Sequence, residues 1–148
     1  MKNLTLEHIA DCCHGTYIGP EEQRNFEVTG VVIDSRKAEA GNLFVAIKGE
    51  QVDGHTFIDA VYGQGAAAVV SEQRLEVPKG PYILVESTAQ ALKDIAAFYR
   101  KSLDIKVVGI TGSVGKTSTK EMIASVLSEK YRVLKTAGNF NNEIGVNF

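Results

Sequence analysis

The sequence has little of what marks secreted, membrane-spanning or disulfide-stabilised proteins. Its 148 residues include no tryptophan, three prolines and two cysteines, and the cysteines, Cys12 and Cys13, are adjacent and poorly placed to pair with each other. No apolar run approaches the ~20 residues that a membrane-spanning helix needs. The opening MKNLTLEHIADCC has neither the basic nor the apolar region of a secretion signal. We therefore expect a soluble cytoplasmic protein without membrane insertion.

Charge is nearly balanced overall but differs along the chain. Residues 1–104 carry 10 basic and 15 acidic side chains, whereas residues 105–148 carry 6 and 3. The basic part has no accompanying series of aromatic residues for stacking on bases, which disfavours nucleic-acid binding. His8, Cys12 and His14 match no standard zinc spacing, so we expect them to be structural or surface residues.

Apolar periodicity in residues 1–104 alternates between strand and helix patterns. Thr5 is a candidate N-cap of the first helix, and Ser87 to Gln90 has the form of a capping box before the last one. This alternation predicts an α/β domain whose sheet is at least partly parallel. The predicted elements are helix 5–13, strands 28–36 and 42–49, helix 56–65, strands 66–72 and 81–87, and a helix from residue 88 to beyond residue 99.

Residues 105–148 show a different order: strand 106–111, a glycine loop, helix 118–130 and strand 131–135. Two strands and one helix bury too little apolar surface to offset the entropy lost when these residues are ordered. We therefore expect this part to be the truncated opening of a larger sheet domain.

The glycine loop Thr111–Thr117 reads TGSVGKT and lies between a predicted strand and a predicted helix. Gly112 and Gly115 let backbone N–H groups turn toward an anion, and the helix N-terminus adds partial positive charge. Lys116 could reach the β- and γ-phosphates of a nucleotide, and the hydroxyl of Thr117 could ligate Mg²⁺. The full GxxxxGK[ST] motif would need glycine where Ile110 stands, so the shorter GxxGKT leaves the general class of nucleotide-binding protein open. The plain alternative is a strand-to-helix turn with a surface lysine.

Two stretches resemble the Mur ligase family. The segment TGSVGKTSTKEMIASVL, followed by KTAGNFNNEIG, resembles the ATP-binding opening of these enzymes, and DSRKAEAGNLFVAIKGEQVDGHTFI resembles their amino-terminal domain. The string GNFNNEIG (138–145) resembles the branch that adds D-alanyl-D-alanine to UDP-N-acetylmuramoyl-tripeptide. The resemblance implies a small mixed α/β UDP-substrate domain over residues 1–104 and the beginning of an ATP-binding domain over residues 105–148.

The activity implied by the resemblance is ATP-dependent amide-bond formation through an acyl phosphate, a step of peptidoglycan precursor synthesis in the cytoplasm. Its cofactors would be ATP and Mg²⁺, and its substrates UDP-N-acetylmuramoyl-tripeptide and D-alanyl-D-alanine. Because much of such an active site would lie outside this sequence, we expect the chain alone to be inactive. Three alternatives stay open: a ligase that adds a single amino acid, a phosphate-loop module that binds nucleotide without ligation, and a non-catalytic UDP-sugar-binding domain.

The resemblance also implies site residues. Lys116 and Glu143 would be catalytic, Thr117 and Glu143 would ligate Mg²⁺, and Asn141 would contact substrate. The nucleotide site would comprise Thr111, Gly112, Ser113, Val114, Gly115, Lys116, Thr117, Ser118, Asn139 and Asn142. The UDP pocket would comprise Ser35, Arg36, Lys48, Gly49, Asp53, Gly54 and His55. Each set has a plainer alternative: glycine, asparagine and aspartate are common turn residues, and Arg36 could pair with a surface carboxylate.

Overall fold

The computed structural model describes residues 4–136 and divides the chain into two compact units, Met1–Lys101 and Ser102–Phe148. Unit 1 contains a five-stranded sheet and three α-helices, and unit 2 contains one α-helix within its described residues. Among the described residues, no helix combines the length and the apolar character that crossing a membrane requires.

The sheet of unit 1 is mixed, with the strand order β1-β5-β4-β3-β2. Strands β2 to β5 are parallel to one another, whereas β1 runs antiparallel to β5. The strands are β1 (Thr16–Ile18), β2 (Val31–Val32), β3 (Leu43–Val45), β4 (Ala68–Ser71) and β5 (Tyr82–Leu84). The prediction of an α/β domain with a partly parallel sheet is therefore confirmed.

Burial explains why the central strands read as continuous apolar runs. Every residue of β3 and β4 is buried, as expected for parallel strands covered on both faces. Phe44, Val69 and Tyr82 form a cluster with Ile58 and Val61 of the helix that precedes β4. The core therefore joins the middle of the sheet to this helix.

The helices of unit 1 are α1 (Leu6–Cys12), α2 (Ile58–Gly63) and α3 (Thr88–Ser102), with short 3-10 turns at Glu21–Gln23, Ser35–Lys37 and Gly54–Phe57. The hydroxyl of Thr5 accepts a hydrogen bond from the His8 N–H at 3.2 Å, which confirms the predicted N-cap. The predicted capping box is half formed. The Gln90 N–H donates to the Ser87 hydroxyl at 3.3 Å, but the Gln90 amide donates to Asp94 instead of returning to Ser87.

Unit 2 departs from the predicted elements. Its helix α4 (Lys116–Ser128) forms, but residues 106–111 and 131–135 form no strand. The predicted apolar helix face is largely exposed, with Met122 at 71% and Val126 at 72%. A strand needs a hydrogen-bonded neighbour and an amphipathic face needs a packing surface, and the described residues of unit 2 provide neither.

Candidate functional site

Two groups of sequence-predicted residues lie at one edge of the sheet in unit 1. Ser35 and Arg36 follow β2, and Lys48, Gly49, Asp53, Gly54 and His55 follow β3. Because β2 and β3 are adjacent and parallel, both segments leave the sheet at its carboxyl edge. Ligand groups of α/β proteins are commonly placed at this edge. The topology therefore brings the two groups to the same end of neighbouring strands.

The turn after β2 holds Arg36 against Asp34. The guanidinium donates through Nε to Asp34 Oδ1 at 2.9 Å and through Nη2 to Oδ2 at 2.7 Å, and the Arg36 N–H donates to Oδ1 at 3.0 Å. These bonds hold the pKa of Asp34 at about 2. The Arg36 side chain is still 87% exposed, so the pair orients the guanidinium without hiding it from a ligand.

We expect Arg36→Gln to raise the pKa of Asp34 from about 2 toward its ordinary value of 3.8, because its side-chain hydrogen bonds and positive charge are lost. NMR titration of the Asp34 carboxyl carbon would measure the change. Lys37→Gln is the matched control, since Lys37 makes the smallest contribution and should move the pKa much less. An equal response to both variants would contradict the pairing.

The segment after β3 folds into a narrow hairpin. Lys48 and Asp53 form an antiparallel bridge, and the Gly49 N–H donates to the Val52 carbonyl at 2.9 Å. Gly54 then passes close to the strand: a Cβ there would lie 2.7 Å from the Ile47 oxygen and 2.8 Å from the Ile47 nitrogen. Only glycine fits this approach. Lys48 and Gly49 are left exposed at the sheet edge.

His55 lies at the base of this hairpin with only 5% of its side chain exposed. Its Nδ1 lies 2.6 Å from Asp53 Oδ1, and its Nε2 accepts a hydrogen bond from the Glu72 N–H at 3.1 Å. The Asp53 carboxylate also accepts from the His55 N–H at 3.0 Å, and these hydrogen bonds lower the pKa of Asp53. Both ring nitrogens are thus used within unit 1.

Glu72 extends the network to helix α3. Its Oε1 accepts from the Thr88 N–H at 2.7 Å and from the Thr88 hydroxyl at 2.9 Å, so Glu72 caps this helix from a distant loop. Glu72 belongs to no local motif and was therefore not predicted from the sequence. Only the predicted helix start at Thr88 indicated that an acceptor was needed there.

The glycine loop of unit 2, Thr111–Thr117, has the backbone that its glycines predict. Gly112 has a φ of +147° and Gly115 a φ of +79°, and Gly115 directly precedes α4. Such positive φ values strain any other residue, whereas glycine adopts them freely. The Lys116 ammonium donates to the Gly112 carbonyl across the loop. The lysine therefore lies over the turn and not out in solvent.

The exposed residues along this loop suit a nucleotide phosphate and a single Mg²⁺ ligand. Thr111, Ser113, Val114, Thr117 and Ser118 are all exposed along it, beside the helix N-terminus. Within residues 4–136, no three His, Cys, Asp or Glu side chains are grouped to hold a metal ion. Mg²⁺ at phosphate sites uses few protein ligands and several waters, so one threonine hydroxyl fits that chemistry. Outside the described residues lie Asn139, Asn141, Asn142 and Glu143.

Comparisons with known proteins cover both units. Residues 27–100 match the model of the Mur ligase family, catalytic domain, and residues 110–148 match the Mur ligase middle domain. The UDP-N-acetylmuramoyl-tripeptide--D-alanyl-D-alanine ligase of Bacillus subtilis is 42% identical over 99% of this chain and 32% of its own length. The UDP-N-acetylmuramoyl-L-alanyl-D-glutamate--2,6-diaminopimelate ligase of Bacillus cereus is 33% identical over 96% of this chain and 29% of its own length.

Solved structures agree with these matches. A crystal structure of MurF from Acinetobacter baumannii aligns with a TM-score of 0.87 at 34% identity, over 97% of this chain and 32% of that one. MurF ligase from Thermotoga maritima in complex with ADP aligns with a TM-score of 0.72 at 39% identity, over 79% and 27%. The chain spans about a third of the length of the curated relatives that it matches.

Proposed function

Since the chain belongs to the Mur ligase family, we propose that it is the amino-terminal part of an ATP-dependent ligase that joins D-alanyl-D-alanine to UDP-N-acetylmuramoyl-tripeptide. The observation that carries this proposal is the 42% identity over 99% of the chain to a ligase named for that reaction. Identity to the 2,6-diaminopimelate ligase is lower, at 33%. The reaction would serve peptidoglycan precursor synthesis in the cytoplasm.

Residues 1–104 would be the UDP-substrate domain. Ser35, Arg36 and Lys48 sit at the carboxyl edge of the sheet, where two cationic side chains suit a diphosphate. Asp34 takes up the Nε and Nη2 face of Arg36 and orients it, so an anion would use the opposite, Nη1 side of the guanidinium. The hairpin formed by Gly49, Asp53, Gly54 and His55 would shape the pocket beside them.

Residues 105–148 would begin the ATP-binding domain. The N–H groups of Gly112 to Ser118 would surround the phosphates, and Lys116 would place its charge on the transferring phosphoryl group. Thr117 and Glu143 would hold Mg²⁺, which when bound would neutralise phosphate charge. Asn139, Asn141 and Asn142 would line the nucleotide and substrate region. The ADP complex of the Thermotoga maritima relative supports a nucleotide site.

The proposed chemistry has two transfers. A carboxylate oxygen of the tripeptide attacks the γ-phosphorus of ATP, and ADP leaves as the acyl phosphate forms. The amine of D-alanyl-D-alanine then attacks the acyl carbon, inorganic phosphate leaves, and the amine loses a proton. The protein contributes position and charge neutralisation, which are the main sources of catalysis in phosphoryl transfer.

Calorimetric titration of this chain tests the proposal. We expect UDP-N-acetylmuramoyl-tripeptide to release measurable heat of binding, because unit 1 contains the whole predicted pocket. Mg-ATP should bind weakly, because the nucleotide site would be completed by residues that this chain lacks. Tight ATP binding with no response to the UDP compound would instead favour a nucleotide-binding module and contradict the assignment of unit 1.

A further inference from the structure

The hydrogen-bond partners of His55 select the tautomer of its ring. A backbone N–H can only donate, so the Nε2 that receives the Glu72 N–H must be unprotonated. The proton of a neutral ring is then on Nδ1, where it is donated to the Asp53 carboxylate at 2.6 Å. The two partners therefore select one tautomer of the ring, with its proton on Nδ1.

These two bonds join parts of the chain that are distant in sequence. Asp53 belongs to the hairpin after β3, and Glu72 directly follows the last residue of β4. Glu72 is itself held by its carboxylate on Thr88, which is almost fully buried at the start of α3. The imidazole thus connects the hairpin to the Glu72 backbone N–H at the end of β4.

The hairpin has few other anchors. Lys48, Gly49 and Val52 are exposed along it, and its backbone bonds are mostly internal or to Ile47 at its base. A hairpin of this kind opens easily unless a side chain ties it to the core. Among the contacts described for this segment, the His55 ring is the one that reaches Glu72, the residue after β4.

We propose that His55 is a positioning residue, which holds the Lys48–Asp53 hairpin at the carboxyl edge of the sheet so that the substrate pocket is preformed. The proposal rests on the proposed function for the ligand that this pocket takes. It differs from a direct ligand contact, because both ring nitrogens are already engaged with protein groups. His55 would raise affinity by lowering the ordering cost that binding would otherwise carry.

Two substitutions of His55 each keep one of its two side-chain hydrogen bonds and remove the other. In His55→Asn the side-chain amide nitrogen takes the place of Nδ1 and can keep the bond to Asp53. In His55→Gln the amide oxygen takes the place of Nε2 and can keep the bond to the Glu72 N–H. His55→Ala loses both. His14→Asn is the matched control, because His14 is exposed and its φ of +53° is well tolerated by asparagine.

The first measurement needs no ligand. Long-range ¹H–¹⁵N spectra of the 148-residue chain should show His55 protonated at Nδ1 and bare at Nε2. Amide hydrogen exchange at Glu72 should be slow in the wild type and in His55→Gln, and faster in His55→Asn and His55→Ala. A ring protonated at Nε2, or equal Glu72 exchange in all variants, would overturn the proposal whether or not the chain binds a UDP compound.

The second measurement is the affinity for UDP-N-acetylmuramoyl-tripeptide by calorimetry. We expect His55→Ala to weaken binding at least tenfold, with His55→Asn and His55→Gln in between and His14→Asn unchanged. If His55→Ala does not fold, the asparagine and glutamine variants decide, and wild-type affinity in both overturns the proposal. Failure of the wild type to bind, with the expected spectra, would count against the proposed function and not against the imidazole bridge.

Discussion

Lys116→Ala, made in the chain extended to the length of its relatives, should reduce ATP-dependent turnover by roughly a thousandfold. The lysine would face the phosphates of ATP, and a unit charge about 4 Å away contributes ~4 kcal/mol at an effective dielectric of 20. Distant surface charges are screened by salt and cannot replace it. The measurement is the rate of phosphate release with both substrates saturating.

The fold of unit 2 should survive this change. The Lys116 ammonium contacts only the Gly112 carbonyl among the contacts described for it, and alanine favours the helix that begins there. Lys120→Ala is the matched control, because Lys120 lies one turn further along α4 and donates to the Thr136 carbonyl at 2.8 Å. Similar losses of turnover in both variants would show that the effect comes from the helix and not from the lysine charge in the glycine loop.

Gly54→Ala should destabilise unit 1 by about 3 kcal/mol, the upper end of what overpacking usually costs. Its new Cβ would lie within 3.0 Å of backbone atoms of Ala46 and Ile47, which cannot move without disturbing the end of β3. The Gly54 N–H also donates to the Ile47 carbonyl at 2.9 Å, and that bond would be strained. Urea unfolding followed by circular dichroism measures the change in free energy of unfolding.

The control for this variant is Gly63→Ala. Gly63 is the last residue of α2, and a Cβ there meets nothing within 4 Å. Alanine should therefore stabilise unit 1 by up to about 1 kcal/mol, since it restricts the unfolded chain and favours helix. If the two variants unfolded at the same urea concentration, the close approach at Gly54 would carry no energetic weight.

Local signals in the sequence predicted most of unit 1. Thr5 and Ser87 marked helix starts, the apolar runs around Phe44 and Val69 predicted strands, and their alternation with helices predicted parallel pairing. The strands are shorter than predicted: β2 covers Val31–Val32 of the predicted 28–36, and β3 covers Leu43–Val45 of the predicted 42–49. Strand β1 was missed, since three residues between Gly15 and Gly19 carry too little pattern to be recognised.

Non-local features could not be predicted. Two strands were expected on either side of the glycine loop, at residues 106–111 and 131–135. A strand forms only beside a hydrogen-bonded neighbour, and the local sequence pattern does not show whether one is present. In the candidate site, Arg36 and Lys48 were expected from the family resemblance, and a surface carboxylate was the plainer expected partner of Arg36. That this carboxylate is Asp34, and that the His55 ring accepts from the Glu72 N–H, emerged only from the fold.

The lengths of the outer strands bear on how this protein behaves at high concentration. Strand β1 has three residues and β2 has two, and these are the two edge strands of the sheet in unit 1. Such short edge strands offer few unpaired backbone N–H and C=O groups for pairing with a strand of another chain, which protects against aggregation. Self-association through strand addition to unit 1 is therefore disfavoured by the sheet's own dimensions.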